Sequence, residues 1–135
     1  MAVTNAHCVY QHSLNTKIHK FTFAHTDNRA VDEYMVHLRQ IIKDYHASGS
    51  DEPLLLLTDL RPDGLPPFSY ALQEARKVFR ELPAPPMRAA YIYNKSRFLT
   101  IILNFFRLLG LGSTREFFEG DKEIEAIDWL LQRDD

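Results

Sequence analysis

Four consecutive leucines at positions 54–57 set the tightest limit on what this chain can fold into. Pro53 precedes them, Thr58 and Asp59 follow, and Arg61-Pro62-Asp63-Gly64 closes the segment. The run is too short for an amphipathic helix, and it offers no alternating polar face to water. A short continuous apolar run between turn signals reads as a strand buried on both faces. Such strands belong to parallel sheets covered by helices. Leucine has no strong strand preference, so the flanking residues carry the reading.

The rest of the sequence supplies the partners this strand needs. Residues 8–12 and 17–23 read as two short strands joined by the turn Ser13-Leu14-Asn15-Thr16. That hairpin would oppose Tyr10 to His19 and Cys8 to Phe21, with Phe23 on the same face. Asp27 is a good N-cap, with Thr26 and Asn28 as rivals, for a helix over about residues 28–47. Its stripe is Val31, Tyr34, Met35, Leu38, Ile41, Ile42 and Tyr45, and Gly49 ends it. Pro66-Pro67 starts a second helix marked by Phe68, Leu72, Ala75, Val78, Phe79 and Leu82. Residues 87–93 form the next strand. Ser96 caps a helix over 97–109, closed by Gly110 and Gly112. Residues 114–118 give a last strand, and Asp121 caps a final helix. Its apolar positions are Ile124, Ile127, Trp129, Leu130 and Leu131, with Trp129 expected against the sheet. The order β-β-α-β-α-β-α-β-α demands mostly parallel pairing with right-handed crossovers and one antiparallel edge. The fold class is α/β, in a single domain over residues 1–135.

Composition narrows the function classes. The chain has 135 residues and a formal charge of −2, which gives no global electrostatic case for nucleic acid. Cys8 is the one cysteine, so neither an intramolecular disulfide nor a cysteine-based zinc site is possible. The amino-terminal residues lack the basic and apolar regions of a secretory signal. No run of about 18 apolar residues offers a membrane span. A soluble, cytoplasmic protein is expected.

No cofactor or nucleophile motif is legible. The six histidines, His7, His12, His19, His25, His37 and His46, form no HxxxH or HxH pair. His12 and His19 would lie diagonally across the hairpin at best, so no metal site is expected. Cys8 alternates with apolar residues in a strand and reads as a core thiol. There is no GxSxG elbow and no glycine-rich phosphate loop, so no cofactor is expected.

Two places stand out. The first is the carboxyl end of the parallel strands, where open α/β sheets bind ligands. It carries Asp59 and Arg61, then Asn94, Lys95, Ser96 and Arg97, then Glu119 and Asp121. Residues 94–97 also lie at a helix start, where free N–H groups and two cations favour an anion. The second is residues 97–111. Phe98, Ile101, Ile102, Phe105, Leu108 and Leu109 already fill one core-facing stripe. Leu99, Leu103 and Phe106 add a second, more apolar surface than one helix on one sheet needs. Deep burial, a protein interface, an apolar pocket or lipid contact would each account for the surplus.

The closing segment, Arg115-Glu116-Phe117-Phe118-Glu119-Gly120-Asp121 leading into Glu125-Ala126-Ile127-Asp128-Trp129-Leu130, carries a resemblance. With Leu56-Leu57-Thr58-Asp59-Leu60-Arg61 and the strand at 87–93, it resembles SpoIIAA-like proteins. These have the STAS fold of sporulation anti-sigma-factor antagonists, some described as STAS/SEC14-like. The element order matches over about residues 8–133. The resemblance implies a right-handed βα superhelix and a non-enzymatic regulatory or protein-interaction module, here expected to pair as a homodimer. Its SEC14-like side implies the alternative, a carrier or sensor of a small apolar or anionic ligand. The family's phosphorylatable serine lies in an Asp-Ser-Ser-Gly stretch. Here that region reads Arg61-Pro62-Asp63-Gly64-Leu65-Pro66-Pro67-Phe68-Ser69, so the motif is absent and no phosphorylation site carries over.

Overall fold

The computed structural model describes residues 6–13, 17–62, 67–94 and 114–132. Five strands form one mixed sheet in the spatial order β1-β2-β3-β4-β5: β1 Cys8–His12, β2 Ile18–Phe23, β3 Leu54–Asp59, β4 Met87–Tyr93 and β5 Thr114–Glu119. Strand β1 is antiparallel to β2, and all later pairs are parallel. Three helices accompany the sheet among the described residues: α1 Asn28–Ser48, α2 Phe68–Glu81 and α3 Glu123–Leu131. No helix among these residues is long and apolar enough to cross a membrane.

The strand order follows from the connections. Each parallel neighbour needs a crossover, and right-handed crossovers that always step the same way leave their helices on one face. Helices α1 and α2 do share a face. There Phe21, Phe23, Val31, Leu38, Ile42, Leu56, Val78 and Tyr91 form the larger core. Helix α3 follows β5 and lies on the other face. There Ala126 and Leu130 pack on Ile18, Leu57, Ala90 and Ile92. Burial on both faces is what the leucine run required: of the six residues in β3, all but half-buried Leu55 are buried, as are all seven of β4.

Local signals place the helix ends. The Asp27 carboxylate accepts the Ala30 N–H at 3.0 Å and caps α1. Gly49, at φ 71°, ends the helix in the left-handed region that a side chain would strain. Helices α1 and α2 are tied by Arg39 to Glu81 and by Tyr70 to Asp32.

Two expectations need correction. The hairpin register is Cys8 with Phe23, Tyr10 with Phe21 and His12 with His19, two residues away from the sequence reading. Pairing continues to Ser13, whose N–H donates to the Ile18 carbonyl at 3.0 Å, while Lys17 leaves the strand and turns back at φ 61°. Strand β1 keeps its expected bounds, and β2 loses one residue at its start. A shift of two keeps every side chain on its face, so Cys8, Phe21 and Phe23 remain in the core.

The second correction concerns α3. It begins at Glu123, with Lys122 as N-cap and no side-chain cap, rather than being capped by Asp121. Its buried residues are Ala126 and Leu130; Trp129 and Ile127 are half-buried, and Ile124 is 74% exposed. The helix is held in this rotation from both ends. Glu123 is anchored by cations at its start. At its finish Arg88 donates to the carbonyls of Trp129 (2.6 Å) and Gln132, with its guanidinium 4.6 Å from the Trp129 ring centre. A cation at the negative end of a helix is favourable. Trp129 is therefore a lid on Arg88 rather than the centre of a core.

Candidate functional site

The carboxyl ends of β3, β4 and β5 meet the start of α3, and Arg61 is the hub. Its Nε donates to Asp59 Oδ1 at 2.8 Å and its Nη2 to Asp59 Oδ2 at 2.7 Å, a two-toothed contact. Nη2 also donates to Glu123 Oε1 at 2.6 Å, and Nη1 to the Gly120 carbonyl at 2.7 Å. At least four of the five N–H groups of the fork thus have protein acceptors. The Arg61 backbone completes the brace. Its N–H donates to Asp59 Oδ1 at 3.0 Å, and its carbonyl accepts from Asn94 Nδ2 at 2.9 Å. Lys20 Nζ, on β2, reaches Glu123 Oε2 at 3.5 Å. Two cations face two carboxylates.

Electrostatics agree with this wiring. Burial works against the Asp59 carboxylate, whose side chain is 6% exposed. The hydrogen bonds and charge of Arg61, with the charge of Lys20, outweigh that burial and hold Asp59 below the ordinary aspartate range. Asp59, followed by Glu123, raises Arg61 in turn, against the opposing effect of burial. Paired, partly buried groups of this kind keep their charges at neutral pH.

Gly120 lets the pieces come this close. A Cβ there would lie 3.0 Å from Asn94 Oδ1 and 3.3 Å from Arg61 Cδ. Any other residue would push on both arms of the brace.

Of the residues the sequence nominated for this crevice, the structure brings Asp59, Arg61 and Asn94 together. Lys95, Ser96 and Arg97 lie outside the described residues, as do Leu99, Leu103 and Phe106. Glu119 and Asp121 are exposed. Three participants were missed: Lys20, Gly120 and Glu123. The first and last are separated by 103 positions, and no local spacing links them. Gly120, in Glu119-Gly120-Asp121, carried a turn signal that was readable but did not reveal its neighbours. The order of the described strands never reverses, so there is no topological switch point among them.

The histidines have other tasks. His7 Nδ1 lies 2.8 Å from Asp27 Oδ2 beside the α1 cap, and its ring is 4.2 Å from that of His25. His46 donates through Nε2 to the Pro83 carbonyl at 2.9 Å. His12 and His19, directly opposed rather than diagonal, stack with ring centres 4.1 Å apart. Tyr10 Oη lies 2.7 Å from His19 Nδ1, within hydrogen-bond distance, and the Tyr10 ring stacks on His37. Burial first, then the neighbouring His12, pushes His19 down to about 4, against a smaller opposing effect of Asp44. His19 is therefore neutral at pH 7 and free to accept from Tyr10. Cys8 is buried, and burial, then Glu33, pushes its thiol up to about 12. Among the described residues no group of three or more histidine, cysteine or acidic side chains could hold a metal ion.

No protein-family model matches the chain, and no curated protein or solved structure does either.

Proposed function

We propose that this chain is a non-enzymatic, STAS-like module that works through protein–protein contact, including contact with a second copy of itself. The observation that supports this most is the state of Arg61. The acid and base that the sequence offered to an anion are engaged with one another and with Gly120 and Glu123. Such an arrangement braces strand ends and a helix start; it does not present an open cation to a small ligand. The sequential strand order with an antiparallel first strand is in keeping with the βα arrangement that the resemblance implies.

The contact residues in this reading are Leu99, Leu103 and Phe106, which the sequence places beside a stripe already sufficient for a core. An apolar surface of this kind is most simply covered by a two-fold contact, because one patch serves both copies. Leu103→Glu and Phe106→Glu, examined by light scattering and circular dichroism, test the reading. Folded monomers are expected. Unfolded variants would instead place these residues in the interior, where an unpaired carboxylate is costly.

A further inference from the structure

Helix α3 has nine residues, of which Ala126 and Leu130 are buried. Helix α1, on the other face, buries six. An isolated helix shorter than about 12–15 residues is marginal in water, so α3 keeps its internal hydrogen bonds only while it is docked. Among the described residues the docking rests on few contacts. Ala126 and Leu130 sit on an apolar floor of Ile18, Leu57, Ala90 and Ile92. At the start of the helix, Glu123 accepts from Arg61 Nη2 at 2.6 Å through Oε1 and from Lys20 Nζ at 3.5 Å through Oε2. Among the described residues these are the ion pairs that join α3 to the rest of the molecule.

The other end of the helix is closed at a cost. Arg88 is buried, and it donates to the carbonyls of Trp129 and Gln132 rather than to a carboxylate. Its Nε has no acceptor among the described residues. A buried N–H without a partner costs free energy that water returns on opening. Strands β3 and β4 each have a strand on either side, so their ladder bonds do not depend on α3. We infer that α3 opens as a unit while the sheet stays folded, with the contacts of Glu123 to Arg61 and Lys20 as its latch. Opening uncovers the apolar floor, hydrates Arg88 and releases Arg61 and Lys20 from Glu123. Segments with few buried apolar contacts lie at the low end of local stability, and α3 is one of them.

Amide hydrogen exchange of the full chain, followed by NMR at low ionic strength, tests the latch. In the wild type the amides of residues 126–131 should exchange ahead of those of β4, at rates that low urea barely changes. Glu123→Gln should speed them about tenfold and leave β4 as it was. Glu125→Gln removes an acid from the same first turn of the helix, and its smaller effect should separate the latch from the helix dipole. Raising sodium chloride from about 0.05 to about 1 M on the wild type should also speed α3 and not β4, because the paired side chains are partly exposed and salt screens them. Equal protection of α3 and β4 in the wild type would overturn the proposal, since α3 would then open only with the whole molecule. So would an effect of Glu123→Gln no larger than that of Glu125→Gln, one spread evenly over the sheet, or exchange in α3 that salt leaves unchanged.

Discussion

Removing the Arg61 fork should cost more than an ordinary surface ion pair. In Arg61→Ala, Asp59 keeps its place at 6% side-chain exposure but loses both of its guanidinium contacts. It retains the backbone N–H of residue 61 and the more distant charge of Lys20. Breaking a well-buried pair by deleting one partner costs about 3–5 kcal/mol. Arg61 is 29% exposed, so water screens part of the interaction. About 2–3 kcal/mol is the expected loss once that screening is allowed for. Urea unfolding followed by circular dichroism would register it as a midpoint shift of about 1–2 M. Arg61→Lys should recover little, because an ammonium cannot reproduce the two-toothed contact. Asp59→Asn with Arg61→Ala should be less destabilised than the sum of the single changes, since the two share one interaction. The folded-state pKa of Asp59 is depressed, so its contribution is present above the ordinary aspartate range and is lost as pH falls through the folded value. The penalty of Arg61→Ala should therefore shrink below about pH 4. A loss under about 0.5 kcal/mol at neutral pH, or strict additivity of the pair, would refute the reasoning.

Other expectations concern the hairpin and the turn before α3. His19 falls from 6.5 in the unfolded chain to about 4 in the fold, so the unfolded state binds the proton more readily and stability drops as pH falls between those values. Allowing for partial exposure, about 1 kcal/mol should be lost between pH 7 and pH 5, and His19→Gln should flatten that slope; equal slopes would contradict it. Gly120→Ala should push Arg61 and Asn94 apart and destabilise by about 1 kcal/mol, the low end for overpacking because side chains rather than backbone must yield. Unchanged urea midpoints would show that the brace tolerates the added methyl.

The sheet was legible in the sequence because each strand carried its own punctuation. Leu54–Asp59 and Met87–Tyr93 lie where Pro53, Gly64 and the Pro83-Ala84-Pro85-Pro86 stop put them. Helix α1 was legible through Asp27, Gly49 and four turns of regular spacing. The hairpin register was not, since Lys17 enters the left-handed region without being glycine or asparagine. The rotation of α3 was not either. Its sequence is apolar over more than one side, and long-range contacts through Glu123 and Arg88 determine which side is buried. The site was half legible for the same reason. Asp59 and Arg61 are neighbours in sequence and announce themselves, whereas Lys20 and Glu123 reach them only through the sheet.

Sedimentation velocity over a concentration series into the high micromolar range, on the wild-type chain beside Leu103→Glu, tests most directly whether this protein works through contact with its own kind. The account predicts a wild-type species at twice the 15.7 kDa chain mass and a folded Leu103→Glu variant at the single-chain mass. A wild-type protein that sediments as a single chain at every concentration would contradict it.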